Sequence, residues 1–286
     1  LADFVKFLAG PGRAMVLALV MVSLFGSAWY WGWQQVRGDV VASTAYTLSP
    51  EDIVVTNRPD WMSFDISERV FRNAGLQQTL SIMDPNLNER IATEFSLDPW
   101  VAKVNRVSKR YPASVVVDLE YRHPVCIVYT RDEVIPIDVE GNALPRWDIP
   151  ESELVRYPRL DWDCSGLSTP RGPVGDQWGD PRVVGAAEIA AALGDRWKGC
   201  RLHRIVPVLP DSKRIGETVY RLYTQSGSTV IWGRAPGMDA PGQPSTAEKL
   251  AYLDQEIKRY GTLEGPKGPH VIDIPFQIRY SKPEHN

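Results

Sequence analysis

Cysteine and histidine are scarce: the 286 residues contain three Cys and four His. Cys126, Cys164 and Cys200 stand far apart, so there is no C-x-x-C pair, which excludes a disulfide-framed fold. At most one bridge can form. Cys164 with Cys200 is the pair to consider, because Cys126 lies in an apolar run and has the setting of a small buried hydrophobe. His123, His203, His270 and His285 are equally scattered, and Cys200-x-x-His203 supplies only half of a tetrahedral zinc site. No metal or other cofactor is expected. A Lys/Arg block is also lacking: 32 basic against 35 acidic residues give a formal net charge of -3, with none of the phosphate-neutralising footprint that nucleic-acid binding requires.

Catalytic patterns are missing as well. Ser165-Gly166 and Ser226-Gly227 lack the G-x-S-x-G frame of a nucleophile elbow. Gly172, Gly175 and Gly179 do not form a phosphate-cradling pattern between a strand and a helix. Asp161, Asp163, Asp176 and Asp180 lack the spacing and closing Glu of a calcium loop, and are expected to be a solvated acidic loop. His123 precedes Pro124 with no nucleophile or orienting carboxylate assignable to it, so it is expected to pack at a junction. The chain is expected not to be an enzyme and not to take a small-molecule substrate.

What is present is globular in composition, 43% hydrophobic and 23% charged, in a length suited to two modest domains and an anchor. Ten Trp and 23 Pro point to β-rich structure with punctuated turns. No residue from Ala14 to Val36 is charged, and Ala14 to Trp33 matches the ~20 residues that cross ~30 Å of hydrocarbon. Trp29, Tyr30, Trp31 and Trp33 form an interfacial belt at one end, whereas Lys6 and Arg13 lie at the other. This pattern predicts a transmembrane helix over residues 14–36, a cytoplasmic tail over 1–13 and an extracytoplasmic remainder. The competing reading is a cleaved signal peptide, with Ala14–Phe25 as its apolar region and Gly26-Ser27-Ala28 as its cleavage site.

Beyond a polar linker, Thr47–Val55 is expected as a first strand, and two helical stretches follow. The second of these opens at Asp84-Pro85 and repeats Leu87, Ile91 and Phe95 along one face. Val101–Val107 and Ser114–Leu119 are predicted strands, giving the order β-α-α-β-β. Farther on, Asp180-Pro181 opens a helix closing at Gly194, and Arg201–Val208 forms a strand. Val219–Thr224 and Thr229–Trp232 form a hairpin, and the capping box Ser245-Thr246-Ala247-Glu248 starts a helix ending at Gly261. Val271–Tyr280 is expected as the last strand at a sheet edge, with Ile272, Ile274, Phe276, Ile278 and Tyr280 on one face, or, since Pro275 removes a donor, as two short pieces of which Phe276–Tyr280 is the outer.

Several short motifs in this order resemble the FtsQ/DivIB family of bacterial cell-division proteins. Pro99-Trp100-Val101 resembles the family's "PWV", Arg110-Tyr111-Pro112 its "R-aromatic-P" hairpin, and Arg122-His123-Pro124 its "ER-P" exit, with the Glu displaced to Glu120. Ile137-Asp138-Val139-Glu140-Gly141, Tyr157-Pro158-Arg159-Leu160 and Ile231-Trp232-Gly233 resemble further family turns. Ile278-Arg279-Tyr280 is similar to its terminal "D-L-R-Y", with Gln277 in place of Asp.

The resemblance implies an α+β chain: an N-terminal transmembrane helix, a POTRA-like β-α-α-β-β domain over 45–123, and a mixed β domain with two helices and a C-terminal edge strand over 124–281, with a short tail over 282–286. It implies a single-pass inner-membrane scaffold that binds FtsB/DivIC-like and FtsL-like division proteins and other divisome components, in the context of septal wall synthesis. Phe276, Gln277, Ile278, Arg279 and Tyr280 are the expected partner-binding segment. Pro99, Trp100, Val101, Tyr111, Pro112, Arg122 and Pro124 are the expected structural motif residues. The alternative is a POTRA-containing protein of export or outer-membrane assembly, and a wall hydrolase is a third class. If the apolar stretch spans a bilayer, the protein stays in membranes through salt and carbonate washing; release of a mature chain beginning near Trp29 would establish the signal-peptide reading.

Overall fold

A computed structural model describes residues 12–41, 46–62, 64–73, 80–130, 133–161, 166–209, 218–238, 242–263, 269–274 and 278–281. The protein is a mixed α+β chain whose first described element is an apolar helix, α1 (Gly12–Val41), of 30 residues. Within α1, Arg13–Gln35 has a mean hydropathy of 1.7 and none of it is buried, so this one helix among the described residues is long and apolar enough to cross a membrane. Trp29, Tyr30, Trp31 and Trp33 are all exposed on it. The chain divides into two compact units, Leu1–Phe95 with Val104–Leu119, and Ser96–Lys103 with Glu120–Asn286.

In the first unit, Ser49 and Pro50 interrupt what the β-branched pattern marks as one strand. Ser49 caps a 3-10 turn (Pro50–Asp52), and its N–H donates to Asp52 Oδ2 at 2.7 Å. The expected strand is therefore two pieces, β1 (Thr47–Leu48) and β2 (Ile53–Thr56), and β1 pairs antiparallel with an unforeseen β3 (Leu80–Ser81). Between them lies α2 (Ile66–Asn73), and α3 (Leu87–Ser96) follows β3. The four-residue spacing of Leu87, Ile91 and Phe95 does turn one stripe of α3 inward, each residue being at most 1% exposed. The chain continues through β4 (Val101–Arg110) and β5 (Ser114–Tyr121). These form a three-stranded sheet in the order β2-β5-β4, with β2 and β5 parallel. Alternation along β5 buries Val115, Val117 and Leu119. Tyr111, in the turn after β4, is exposed and meets Tyr46 at a ring separation of 6.0 Å, and Pro112 beside it is exposed too.

The second unit is built on an eight-stranded sheet. Its strands are β6 (Cys126–Tyr129), β7 (Val134–Ile137), β8 (Arg159–Asp161), β9 (Leu202–Val208), β10 (Val219–Thr224), β11 (Thr229–Gly233), β12 (His270–Asp273) and β13 (Ile278–Ser281). Their spatial order is β13-β12-β11-β10-β9-β8-β6-β7. A short α4 (Glu151–Leu154) precedes β8, and α5 (Pro181–Leu193) with α6 (Arg196–Gly199) precedes β9. The final helix, α7 (Thr246–Tyr260), precedes β12.

Local chemistry fixes these helix ends. Asp180 caps α5, accepting from the Arg182 N–H, with Pro181 in the first turn and Gly194 after the end. Ser245 and Glu248 form the capping box of α7, and Gly261 closes it at φ 71°, where a side chain would be strained. Gly185 is required for a different reason: a Cβ there would come within 2.9 Å of Ala235 Cβ and closer still to the Tyr220 hydroxyl. Its absence lets α5 lie tight on the sheet, with Tyr220 donating to the Arg182 carbonyl at 3.0 Å.

The motif residues shared with the resemblance sit as follows. Trp100 is fully buried, Val101 is buried and Pro99 half-buried. Trp100 Nε1 donates to Asp148 Oδ2 at 2.7 Å, and its carbonyl accepts from the Arg122 N–H at 2.8 Å. Arg122 reaches Asp138 at 2.6 Å and Glu140 at 3.1 Å, fastening the turn that Gly141 completes at φ 78°. Pro124 is buried and His123 is exposed. Truncating Trp100 to Ala removes a fully enclosed aromatic and leaves Asp148 without its indole donor; we expect a loss of about 3–5 kcal/mol, measured by urea unfolding of the full chain in a membrane mimetic.

Candidate functional site, an open sheet face with a terminal edge

The register of the sheet separates two faces. One row, Val128 on β6, Leu160 on β8, Ile205 on β9, Leu222 on β10, Val230 on β11 and Ile272 on β12, is wholly buried. It packs in one core with Val183, Ala187, Ile189 and Leu193 of α5 and Leu253 of α7, and Leu250 and Ile257 lie against that core. Each such aliphatic residue contributes about 1.5–3 kcal/mol by leaving water.

The alternate residues lie on the opposite face and include a cluster of arginines and tyrosines. Arg159 and Arg204 stand directly opposite each other, and Arg204 is opposite Tyr223. The Arg159 guanidinium lies 4.1 Å from the Tyr129 ring centroid, and that of Arg204 lies 4.4 Å from Tyr223. Asp161 holds the two cations together: Arg159 bonds to one oxygen and Arg204 approaches the other at 3.4 Å. Tyr and Arg are the residue types enriched in protein interfaces, because they offer wide contact area with a polar end.

This face ends at β13, the outermost strand. Antiparallel pairing sets His270 opposite Ser281, Val271 opposite Tyr280, Ile272 opposite Arg279 and Asp273 opposite Ile278. Among the described residues β13 has a strand neighbour on one side only, which leaves its other backbone row without a strand partner there. Of the two expectations for Val271–Tyr280, one continuous strand is corrected: β12 and β13 are two separate antiparallel strands. Ile272 and Ile274 are buried in the core. Of the expected partner-binding segment, Ile278, Arg279 and Tyr280 belong to β13, whereas Phe276 and Gln277 lie outside the described residues.

The remaining candidates are structural. Asp161 and Asp180 are both buried, one in β8 and one capping α5, so the expectation of a single solvated acidic loop is overturned. Asp176 is exposed, and Asp163 lies outside the described residues. Burial opposes ionisation of Asp180, but bonds from Arg182 and the Ser168 N–H outweigh it and hold the carboxyl below its ordinary value. Cys126 and Cys200 are free thiols, pushed up by burial to about 12 and about 11, and so are poor nucleophiles at neutral pH. Cys164, the proposed partner of Cys200, lies outside the described residues. His203 Nδ1 is 3.0 Å from the Tyr223 carbonyl. Among the described residues no three of His, Cys, Asp and Glu gather as metal ligands.

A hollow of about 570 Å³ beside β7 is lined mainly by apolar groups such as Val134, Ile135, Leu144 and the exposed Trp147. Its charged groups are Glu133 and Arg146, and Arg146 is held by Glu151 and the Ile149 carbonyl.

Sequence reasoning missed the arginine–tyrosine cluster, whose one local trace is the two-residue spacing of Arg159 with Asp161 on β8. No protein-family model and no curated protein matches the chain. Removing the carboxylate as Asp161→Ala leaves Arg159 and Arg204 facing each other without a shared counter-charge. We expect a loss of about 1–3 kcal/mol in urea unfolding, partly restored by a second change, Arg159→Gln.

Proposed function

We propose that this chain is a membrane-anchored, non-catalytic scaffold of the bacterial cell-division machinery, of the FtsQ/DivIB type. It is single-pass in the inner membrane, its N-terminus lies in the cytoplasm, and its folded units are extracytoplasmic. Those units bind FtsB/DivIC-like and FtsL-like proteins and tie them to septal wall synthesis. The observation that carries this reading is the pairing of a membrane-length helix at one end of the chain with an open strand edge, β13, near the other.

Further support comes from element order. β2, α2, α3, β4 and β5 follow one another as a POTRA-like β-α-α-β-β domain does, with the small β1/β3 pair added. In the second unit the sheet carries two longer helices, α5 and α7. The Arg122–Asp138 turn and the buried Trp100 give the shared short motifs structural roles, consistent with a domain kept for its shape and edges.

In this reading β13 accepts a partner strand, main-chain bonds supply affinity and alternate side chains supply selectivity. Ile278→Pro removes a backbone donor from that edge. Co-purification from solubilised membranes is expected to lose the division partners by about tenfold or more, while circular dichroism of the chain remains unchanged. Full capture by the proline variant, or by a folded chain truncated after Pro275, would rule the edge out. Recovery of export or outer-membrane assembly components in place of division proteins would replace the proposed context.

A further inference from the structure

We infer that the β4–β5 turn of the first unit seats on the phospholipid headgroup layer, with Tyr46 and Tyr111 as its interfacial aromatics and Arg110 as its phosphate contact. This rests on the membrane-anchor part of the reading above and goes beyond it, because it assigns a lipid-binding surface to a folded unit. Tyr46 follows Val41, the last residue of α1, by five positions. Fully extended, that tether spans at most about 18 Å, and the helical stretch from Gln35 to Val41 adds about 9 Å, so Tyr46 stays within roughly 27 Å of the apolar span.

Pairing fastens the tether to one end of the unit. The Tyr46 carbonyl accepts from the Ile82 N–H at 2.9 Å, beside the β1/β3 pair, and the Tyr46 ring meets Tyr111 at 6.0 Å. Lys109 donates to the Asp84 carbonyl, which joins this end of β4 to the segment after β3. In that segment Met83 is 57% exposed, while Tyr111 is 72% exposed and Arg110 beside it is exposed too. Among the nearby acids, Asp84 takes Arg90 at 3.2 Å and Asp52 accepts from the Ser49 N–H at 2.7 Å. Glu51 is exposed.

A tyrosine ring has an apolar body and a polar tip, the combination that settles at the headgroup level. An adjacent arginine lays its apolar stem along the acyl boundary while its guanidinium binds phosphate. Met83 adds flexible apolar area. A headgroup that carries both phosphate and ammonium matches a surface where Arg110 and Glu51 differ in sign. Because the tether is short, this end meets lipid at high effective concentration, so a few weak contacts suffice to hold it down.

The test places a photoreactive benzophenone amino acid at position 111, 83 or 58 of the full chain, in nanodiscs of phosphatidylcholine and phosphatidylethanolamine. Arg58 is exposed and follows β2 at the opposite end of its pairing with β5, so it serves as the control. Mass spectrometry is expected to find lipid adducts from positions 111 and 83 at about tenfold the yield from 58. With the probe at position 83, Arg110→Glu with Tyr111→Glu should lower that yield by about tenfold, with circular dichroism unchanged. Equal lipid yields from all three positions, or adducts to protein alone from 111 and 83, would overturn the inference while leaving the anchor in place. A chain that fails to enter nanodiscs would contradict the anchor itself and this inference with it.

Discussion

The second unit depends on its sheet being covered from one side. α5 and α7 bury the row from Val128 to Ile272, and the close approach at Gly185 sets how tightly α5 can lie. The opposite face is only partly exposed: Ile127, Asp161 and Val206 on it are buried, whereas Arg159 and Arg221 are exposed. It pairs Arg159 and Arg204 with aromatic rings and places the low-exposure carboxylate of Asp161 between them.

Edges follow from the same constraint. Among the described residues the eight-stranded sheet has two edges, β7 and β13. β7 is partly closed, because the Leu144 N–H donates to the Pro136 carbonyl at 2.8 Å and Ala143 bridges Ile137. β13 comes late in the sequence and closes the other side of the sheet. The two ends therefore differ in how much backbone remains for a partner, and this difference, together with the helix α1, is the physical basis of the scaffold reading.

Features set by neighbouring residues were legible in the sequence. The Asp180-Pro181 start and Gly194 end of α5, and the Ser245/Glu248 box and Gly261 end of α7, were placed correctly because capping is local hydrogen-bond chemistry. Burial of Cys126 and of the α3 stripe also followed from pattern. One local signal was missed, the Ser49 cap that divides the first strand; the other misses were non-local. β3 exists through its pairing with β1, and the parallel contacts β6·β8 and β8·β9 join segments far apart in sequence. The cluster on the open face is likewise a product of register: nothing local to Arg159 says that Arg204 will stand opposite.

A membrane scaffold that works through its main-chain edge should show the effect on backbone amides rather than on any reactive group. The most direct measurement is hydrogen exchange of the full chain in a membrane mimetic, with and without the division proteins proposed as its partners. The account predicts added protection concentrated at Ile278–Ser281, with the core amides of α5 and β9–β10 unchanged. Stable partner binding with exchange at Ile278–Ser281 unaltered would contradict it.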